Sequence, residues 1–175
     1  MNEVIRALKE RRSVRRYADT PVPRELVEQV IEAGLYAPSG MNKQSTAIVA
    51  ITQKALRDRL SEMNRAIGGW DVGFDPFYGA PVILLVLAKK DERNRVYDGS
   101  LVMGNLMLAA HSLGLGSIWI HRAREEFESA EGAELLRSLG IDGEWEGIGH
   151  CALGYAAGEN PQAAPRKEGR VFWAE

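Results

Sequence analysis

The chain has 175 residues, 45% of them hydrophobic and 26% charged, with a formal net charge of −2. These values are ordinary for one soluble globular domain over 1–175, and the near-neutral charge argues against a nucleic-acid-binding protein. The longest apolar run, over 80–88, is far shorter than the about 20 residues that cross a bilayer. With a single cysteine and no signal-peptide pattern, we expect a cytoplasmic protein without membrane contact.

A basic segment follows the first predicted helix. Asn2 is placed to cap this helix, which runs to about Arg11 with one apolar stripe that we expect to be buried. Forked guanidinium donors beside a hydroxyl match a phosphate group. A solvated basic face, or an arm that binds phosphodiesters, is the alternative. The candidate phosphate-binding residues are Arg11, Arg12, Ser13 and Arg15.

A second helix is predicted to begin near Pro23 and to carry apolar residues from Leu26 to Leu35. A polar loop separates it from a predicted strand over 46–51. Amide groups in this loop can bind a flat polar ring, although the composition also suits a plain helix-to-strand connection. The candidate binding residues of the loop are Pro38, Ser39, Gly40, Asn42 and Gln44.

An aromatic-rich segment over 68–79 follows a third predicted helix, over 53–66. It combines four glycines with four aromatic residues and shows no helix or strand period, so we predict a mobile lid. The aromatic rings could stack on a flat ligand or could instead pack onto the core. They belong to Trp70, Phe74, Phe77 and Tyr78.

The middle of the chain predicts a strand buried on both faces, over 80–88, and then a helix over 97–113 that is apolar nearly all round. A helix without a polar face must be buried, and a subunit interface is a natural place for it. Gly114 ends this helix. Asn105 within it is interpreted as a core amide with a satisfied hydrogen bond.

A short central strand that ends in polar residues is predicted over 116–122. Ligands gather near strand ends in open sheets, which makes this a second candidate site. Its residues are Trp119, Ile120, His121 and Arg122. Helical structure is predicted over 124–139 with a break near Gly132.

Several other patterns are read as structural. The three histidines have no metal-ligand spacing, so no metal site is expected. Residues 147–152 match a glycine dinucleotide fingerprint, but they lie in a strand-like run with no helix after it, so we reject the match. Cys151, in the same run, is interpreted as a buried and inert thiol.

The C-terminal residues 156–175 are polar and contain prolines, and they end in aromatic residues. We expect this tail to be pinned down rather than loose. Arg166 and Lys167 within it are either ligand-binding residues or part of a solvated linker.

Four of these segments, in this order, resemble the nitroreductase-like family of FMN-dependent NAD(P)H oxidoreductases. They are the Arg-Arg-Ser-Val-Arg-Arg-Tyr segment, the loop Ala-Pro-Ser-Gly-x-Asn-x-Gln, the strand over 116–121 and the tail. The resemblance implies an α+β fold, with a mixed or antiparallel central sheet flanked by helices, in an intertwined homodimer that has two FMN sites at its interface. One departure is Ser45-Thr46, where the family usually has Pro-Trp.

The resemblance also implies roles. The basic segment would hold the phosphate and ribityl chain of FMN together with Arg166 and Lys167, and Arg15 would lie near flavin N1/O2. The loop over 38–44 would reach the FMN of the partner subunit, and the main chain of His121 would lie near N5. The tail would wrap the partner, and the lid aromatics would contact the substrate.

The reaction implied is hydride transfer in two halves. NADH or NADPH would reduce FMN at N5, and a small electron acceptor, a nitroaromatic or quinone-like compound, would then receive the electrons. Enone reduction or reductive dehalogenation on the same scaffold is one alternative. A regulatory protein that binds phosphate or nucleic acid through residues 11–16 is an alternative of another class.

Overall fold

A computed structural model describes residues 1–159 and 161–175 of the chain; Asn160, within the predicted tail, lies outside the described residues. The helices of the described part are α1 Glu3–Glu10, α2 Arg24–Leu35, α3 Lys54–Gly68, α4 Arg95–Ser112, α5 Ala123–Glu128 and α6 Ala130–Ser138. The strands are β1 Thr46–Ile51, β2 Val82–Lys89, β3 Gly116–Ile120 and β4 Trp145–Gly154. In the described part of the chain, no helix combines the length and the apolar character that crossing a membrane requires.

The four strands form one antiparallel sheet in the order β1-β2-β4-β3, which confirms the α+β prediction. The prediction of a central strand over 116–122 is wrong in position, because β3 lies at an edge and ends at Ile120. Strand β4 takes the place between β2 and β3. Its ten residues are mostly buried on both faces, which suits an inner strand of a covered sheet.

Two apolar cores lie on the two faces of the sheet. Side chains of β2 alternate between them, because successive residues of a strand point to opposite faces. Ile83 and Leu85 pack with α3, α5 and α6, whereas Leu84 and Val86 pack with α2 and α4. This explains why β2 is one continuous apolar run, as predicted.

The apolar stripe of α1 is not buried within this chain, contrary to the prediction. Asn2 caps the helix as expected, with its Oδ1 accepting from the N–H of Ile5 at 2.9 Å. However, Val4, Ile5 and Leu8 are 61%, 48% and 59% exposed. None of the elements in the described part of the chain covers this side of α1, so the helix offers an uncovered apolar surface.

Within the described residues, the tail is hydrogen-bonded to the rest of its chain where it begins. The N–H of Ala157 donates to the carbonyl of Arg16 at 2.9 Å, and Ala156 forms a bridge with Tyr17. Phe172 and Trp173 are 90% and 84% exposed, so the expected pinning is not supplied by this chain.

The break between α5 and α6 lies at Ser129 rather than at Gly132. The Ser129 hydroxyl accepts from the N–H of Gly132 at 3.0 Å, which caps the start of α6. Gly132 instead permits close packing of α6 against α5. A Cβ there would lie 2.0 Å from the carbonyl oxygen of Glu126, so only glycine allows the two helices to pack this closely.

Candidate functional site

The basic segment runs extended along the free edge of β3. The N–H of Val14 donates to the carbonyl of Ser117 at 3.1 Å, and Ser13 and Ser117 form a parallel bridge. Val14 and Tyr17 are buried, and the Tyr17 hydroxyl donates to the carbonyl of Ala152 at 3.1 Å. These contacts fix the segment as part of the sheet edge and leave the side chains of the predicted phosphate site beside it.

A cavity of about 340 Å³ lies next to this segment. It is lined by Ser13, Val14, Arg15 and Arg16 on one side and by 156–159 and Pro161 on the other. The structure therefore brings two of the predicted site residues, Ser13 and Arg15, together with the start of the tail.

Two arginines of the segment hold buried donors that have no hydrogen-bond partner among the described residues, namely Arg11 Nη1 and Arg12 Nε. Arg12 Nη1 does donate to the carbonyls of Lys9 and Arg11, at 2.7 and 2.6 Å. Leaving a buried charged donor unsatisfied is costly. Orphaned guanidinium donors are the chemistry that a phosphate group satisfies, so these residues fit the phosphate end of a nucleotide-like ligand.

The positive charge of Arg11 also acts on Cys151. Burial raises the pKa of the Cys151 thiol to about 12, although the charge of Arg11 partly opposes that rise. The thiol is fully buried and protonated, as the sequence predicted.

The loop over 38–44 is a compact turn that lines a different cavity. Ser39 Oγ accepts from the N–H of Gln44 at 3.0 Å, and Gln44 Nε2 donates to Asn42 Oδ1 at 3.1 Å. Gly40 N–H donates to the buried Asp98 at 3.1 Å. Pro38, Ser39 and Gln44 face a cavity of about 130 Å³ against α4.

The two predicted flavin-binding segments lie at opposite edges of the sheet. The basic segment borders β3, while the loop over 38–44 leads into β1, and the two edges are three strand spacings apart. That separation is about 14 Å. One chain therefore does not bring these two groups of predicted residues together.

The end of β3 places its four predicted residues in different surroundings. Ile120 is buried in the core, and the Trp119 indole packs so tightly that a Cβ on Gly149 would lie 2.4 Å from Nε1. His121 is exposed. Arg122 has a left-handed backbone (φ 78°), and its guanidinium lies 4.3 Å from the centre of the Trp70 ring.

The segment over 69–79 carries a cluster of three aromatic rings. Trp70 lies 5.1 Å from Phe74, and Phe74 lies 6.1 Å from Tyr78, edge to face. With Arg122 over Trp70, these rings form a partly exposed wall beside the end of β3.

The prediction that Phe77 contacts substrate is wrong. Phe77 is fully buried in the core, 5.2 Å from the ring of His150 and 5.5 Å from the guanidinium carbon of Arg57. The glycine- and aromatic-rich sequence over 68–79 does not distinguish this one inward-pointing ring from the other three.

Asp75 anchors the predicted lid. Its carboxylate accepts from Ser61 Oγ at 2.7 Å, from the N–H groups of Phe77 and Gly79 at 2.9 and 2.7 Å, and from Arg57. Burial opposes ionisation, but these donors outweigh it and hold the pKa of Asp75 below its usual value. The segment is thus fixed to α3 at its centre.

Arg166 and Lys167 are not brought to the basic segment of their own chain. Both are exposed, and Arg166 donates to the nearby carbonyl of Ala164, at 2.6 Å from Nη2. No group of three or more His, Cys, Asp or Glu side chains among the described residues is arranged to hold a metal ion.

Sequence reasoning missed a buried polar cluster behind the end of β3, formed by Asn64, Glu126 and His150. Two signals could have found it. Asn64 falls four residues after Leu60, on the apolar stripe of α3, and His150 interrupts the apolar run of β4. A polar side chain at a core position has to be satisfied by another one.

Comparison with known proteins gives a consistent picture. The model of the nitroreductase family matches residues 8–155. An FMN reductase [NAD(P)H] from Bacillus subtilis is 32% identical over 147 residues, which cover 71% of this chain and 56% of that protein. The chain spans 56% and 60% of the length of two curated relatives that it matches.

Two crystal structures cover the whole of this chain and are covered wholly by it. A nitroreductase with bound FMN from Bacteroides fragilis superposes with a TM-score of 0.90 at 29% identity. A nitroreductase with bound FMN from Desulfitobacterium hafniense has a TM-score of 0.89 at 26% identity.

Proposed function

This chain belongs to the nitroreductase family, and from that premise we propose that it is an FMN-dependent oxidoreductase that uses NADH or NADPH. The observation that carries the proposal is the pair of buried guanidinium donors of Arg11 and Arg12, which have no partner among the described residues. They directly precede Ser13 and Arg15, which line the cavity at the β3 edge. The names of the B. subtilis relative and of the two similar crystal structures, which contain FMN, support the choice of ligand.

When bound, FMN would supply the hydride chemistry, and the protein would position it and balance its charge. Arg11, Arg12 and Ser13 would hold the phosphate and ribityl end, because Ser13 lines the cavity and the two arginines before it have donors without a partner among the described residues. Arg15 would place a positive charge near N1/O2 of the ring. The main chain at the end of β3, with Trp119 to Arg122, would face the N5 side.

A homodimer completes the site in this proposal. Pro38, Ser39, Gly40, Asn42 and Gln44 would reach the flavin of the partner, since they lie too far from the basic segment of their own chain. Arg166 and Lys167, on the exposed tail, would act likewise. The uncovered stripe of α1 and the exposed Phe172 and Trp173 supply apolar surface for such an interface.

The acceptor would be a flat, electron-poor molecule such as a nitroaromatic or a quinone. Trp70, Phe74 and Tyr78 offer aromatic faces beside the end of β3, and Arg122 adds a positive charge to the same wall. A cytoplasmic location, which the single free thiol favours, belongs to the same proposal.

Titration of the purified protein with FMN tests the cofactor assignment. We expect a yellow protein whose affinity for FMN falls by at least about ten-fold in Arg11→Ala, since a hydrogen bond to a charged group contributes roughly 1.5–3 kcal/mol. Arg24→Ala is the matched control, because Arg24 is an exposed arginine of α2 paired only with Glu28. A colourless protein that does not bind FMN would contradict the proposal. So would equal affinities of Arg11→Ala and Arg24→Ala for FMN.

Analytical ultracentrifugation tests the dimer. Replacing Phe172 and Trp173 by serine should raise the dimer dissociation constant, because it removes apolar area that only a partner can bury. Leu139→Ser, which changes a 41% exposed residue after α6, is the control. A wild-type protein that sediments as a monomer would rule out the two-chain site.

A further inference from the structure

Three fully buried polar side chains from three different elements meet behind the end of β3. They are Asn64 on α3, Glu126 on α5 and His150 on β4, each 0% exposed. The rings of Phe77 and Phe127 lie 5.2 and 6.4 Å from that of His150. In such apolar surroundings a polar group is costly unless its partners are in place.

The cluster forms a chain of hydrogen bonds that ends at the protein backbone. His150 Nε2 lies 2.7 Å from Glu126 Oε2, and Glu126 Oε1 accepts from Asn64 Nδ2. The same amide nitrogen donates to the carbonyl oxygen of His121 at 2.7 Å. The amide orientation is fixed, because a flipped Asn64 would turn its oxygen towards two other oxygen acceptors.

The direction of the His121 carbonyl determines the direction of the next N–H. In a trans peptide the C=O and N–H groups point opposite ways, and the described residues contain no cis peptide. Because the His121 oxygen points inward to Asn64, the Arg122 N–H points away from the buried cluster. This N–H has no hydrogen-bond acceptor among the described residues.

The backbone at Arg122 needs this support. Its φ of 78° is a left-handed conformation that costs free energy for any residue with a side chain. The Arg122 carbonyl is held by the N–H of Glu126 at 2.9 Å, and the preceding peptide is held by Asn64. Glu126 thus acts on this turn through both its main chain and its side chain.

We propose that Asn64 and Glu126, braced by His150, are positioning residues that hold the peptide between His121 and Arg122 so that the Arg122 N–H, rather than that of His121, meets flavin N5. This inference rests on the proposed function. It extends the site to three residues that touch neither the cofactor nor the acceptor.

NMR of the wild-type protein and of Asn64→Leu, loaded with FMN labelled with ¹⁵N at N5, tests the assignment. Leucine has the same branched arrangement of side-chain heavy atoms as asparagine but donates no hydrogen bond. We expect the N5 resonance to move and the rate constant for flavin reduction by NADH to fall roughly ten-fold or more, as when a preorganised donor is lost. The Glu126 amide, whose N–H donates to the Arg122 carbonyl at 2.9 Å, should also exchange faster with solvent in the FMN-free variant.

Asn105→Leu is the matched control. Asn105 is a partly buried amide that likewise donates to a backbone carbonyl, that of Ala33 at 3.0 Å, but it lies between α4 and α2. This variant should leave the N5 resonance and the exchange of the Glu126 amide unchanged. If Asn64→Leu does not fold, the double variant Glu126→Leu/His150→Phe removes the group that orients Asn64 together with its buried partner, and replacing both members of a buried polar pair by apolar residues is often tolerated.

An unmoved N5 resonance with an unchanged reduction rate in a folded Asn64 or Glu126 variant would overturn the inference. An equal change in Asn105→Leu would do the same. If the wild-type protein binds no FMN, the proposed function fails, but the exchange of the Glu126 amide still decides whether Asn64 holds this turn.

Discussion

Asp75→Asn should loosen the aromatic segment over 69–79. The Asp75 carboxylate receives four donors, and its side chain is 31% exposed while that of its partner Arg57 is 11% exposed. In the least costly arrangement, the new NH₂ group faces Ser61, whose hydroxyl can turn to accept. The N–H of Phe77 then loses its acceptor, and Arg57 faces a neutral oxygen.

The bond from the N–H of Gly79 meets the same neutral oxygen as that from Arg57, so one charge-assisted bond is lost and two are weakened. Together these changes amount to about 2–3 kcal/mol at pH 7. Hydrogen exchange of the backbone amides in this segment should therefore quicken by roughly 30- to 150-fold where opening is local. Urea unfolding at fixed protein and FMN concentrations provides the global measurement, since bound ligand and partner also stabilise the folded state.

The effect has a defined pH dependence. The folded pKa of Asp75 lies below its usual value of 3.8, so the stabilisation is complete above that value and is lost as the pH falls through the folded pKa. The difference between wild type and Asp75→Asn should be constant near neutrality and shrink below about pH 4. Asp71→Asn, an exposed change in the same segment, is the control. If the two variants behave alike, Asp75 is not the anchor.

Three further predictions concern single residues. Phe77→Ala should lower the free energy of unfolding by about 3–5 kcal/mol, because it leaves a cavity in the core. A variant that stays stable but binds the acceptor more weakly would instead favour the predicted substrate role of Phe77. Cys151 should not react with a thiol reagent at pH 8 until the protein is unfolded, since its pKa is raised to about 12, and rapid labelling of the native protein would contradict its burial. Arg15→Ala should lower the reduction potential of bound FMN in a redox titration, and an unchanged potential would remove Arg15 from that role.

Local patterns predicted the elements well where they were strong. The apolar run of β2, the apolar segment of β1 over Thr46–Ile51 and the glycine after α4 are local signals that depend on neighbouring residues, and the predicted strands and helix end agree with the structure. Asn105 was also predicted correctly as a satisfied amide.

Features that depend on distant residues could not be predicted in this way. Phe77 and the other three aromatic residues look alike in sequence, whereas the burial of Phe77 depends on contacts with distant residues such as His150 on β4, 5.2 Å away. Glycine often interrupts a helix, which is why Gly132 predicts a break. In the structure its missing side chain instead lets the backbone of α6 lie against the carbonyl group of Glu126. The helical period of α1 predicts an apolar face, but it cannot predict whether this face packs against the same chain or against another molecule.

The opposite-edge placement of the basic segment and the loop over 38–44 has a genetic consequence. If each flavin is held by the basic segment of one subunit and the loop of the other, Arg11→Ala and Asn42→Ala damage different halves of every site. In a mixed dimer of the two variants, one site receives both defects and the other receives none. Two separately inactive alleles expressed together should therefore restore part of the activity, up to half of that of a fully intact dimer for each mixed dimer formed.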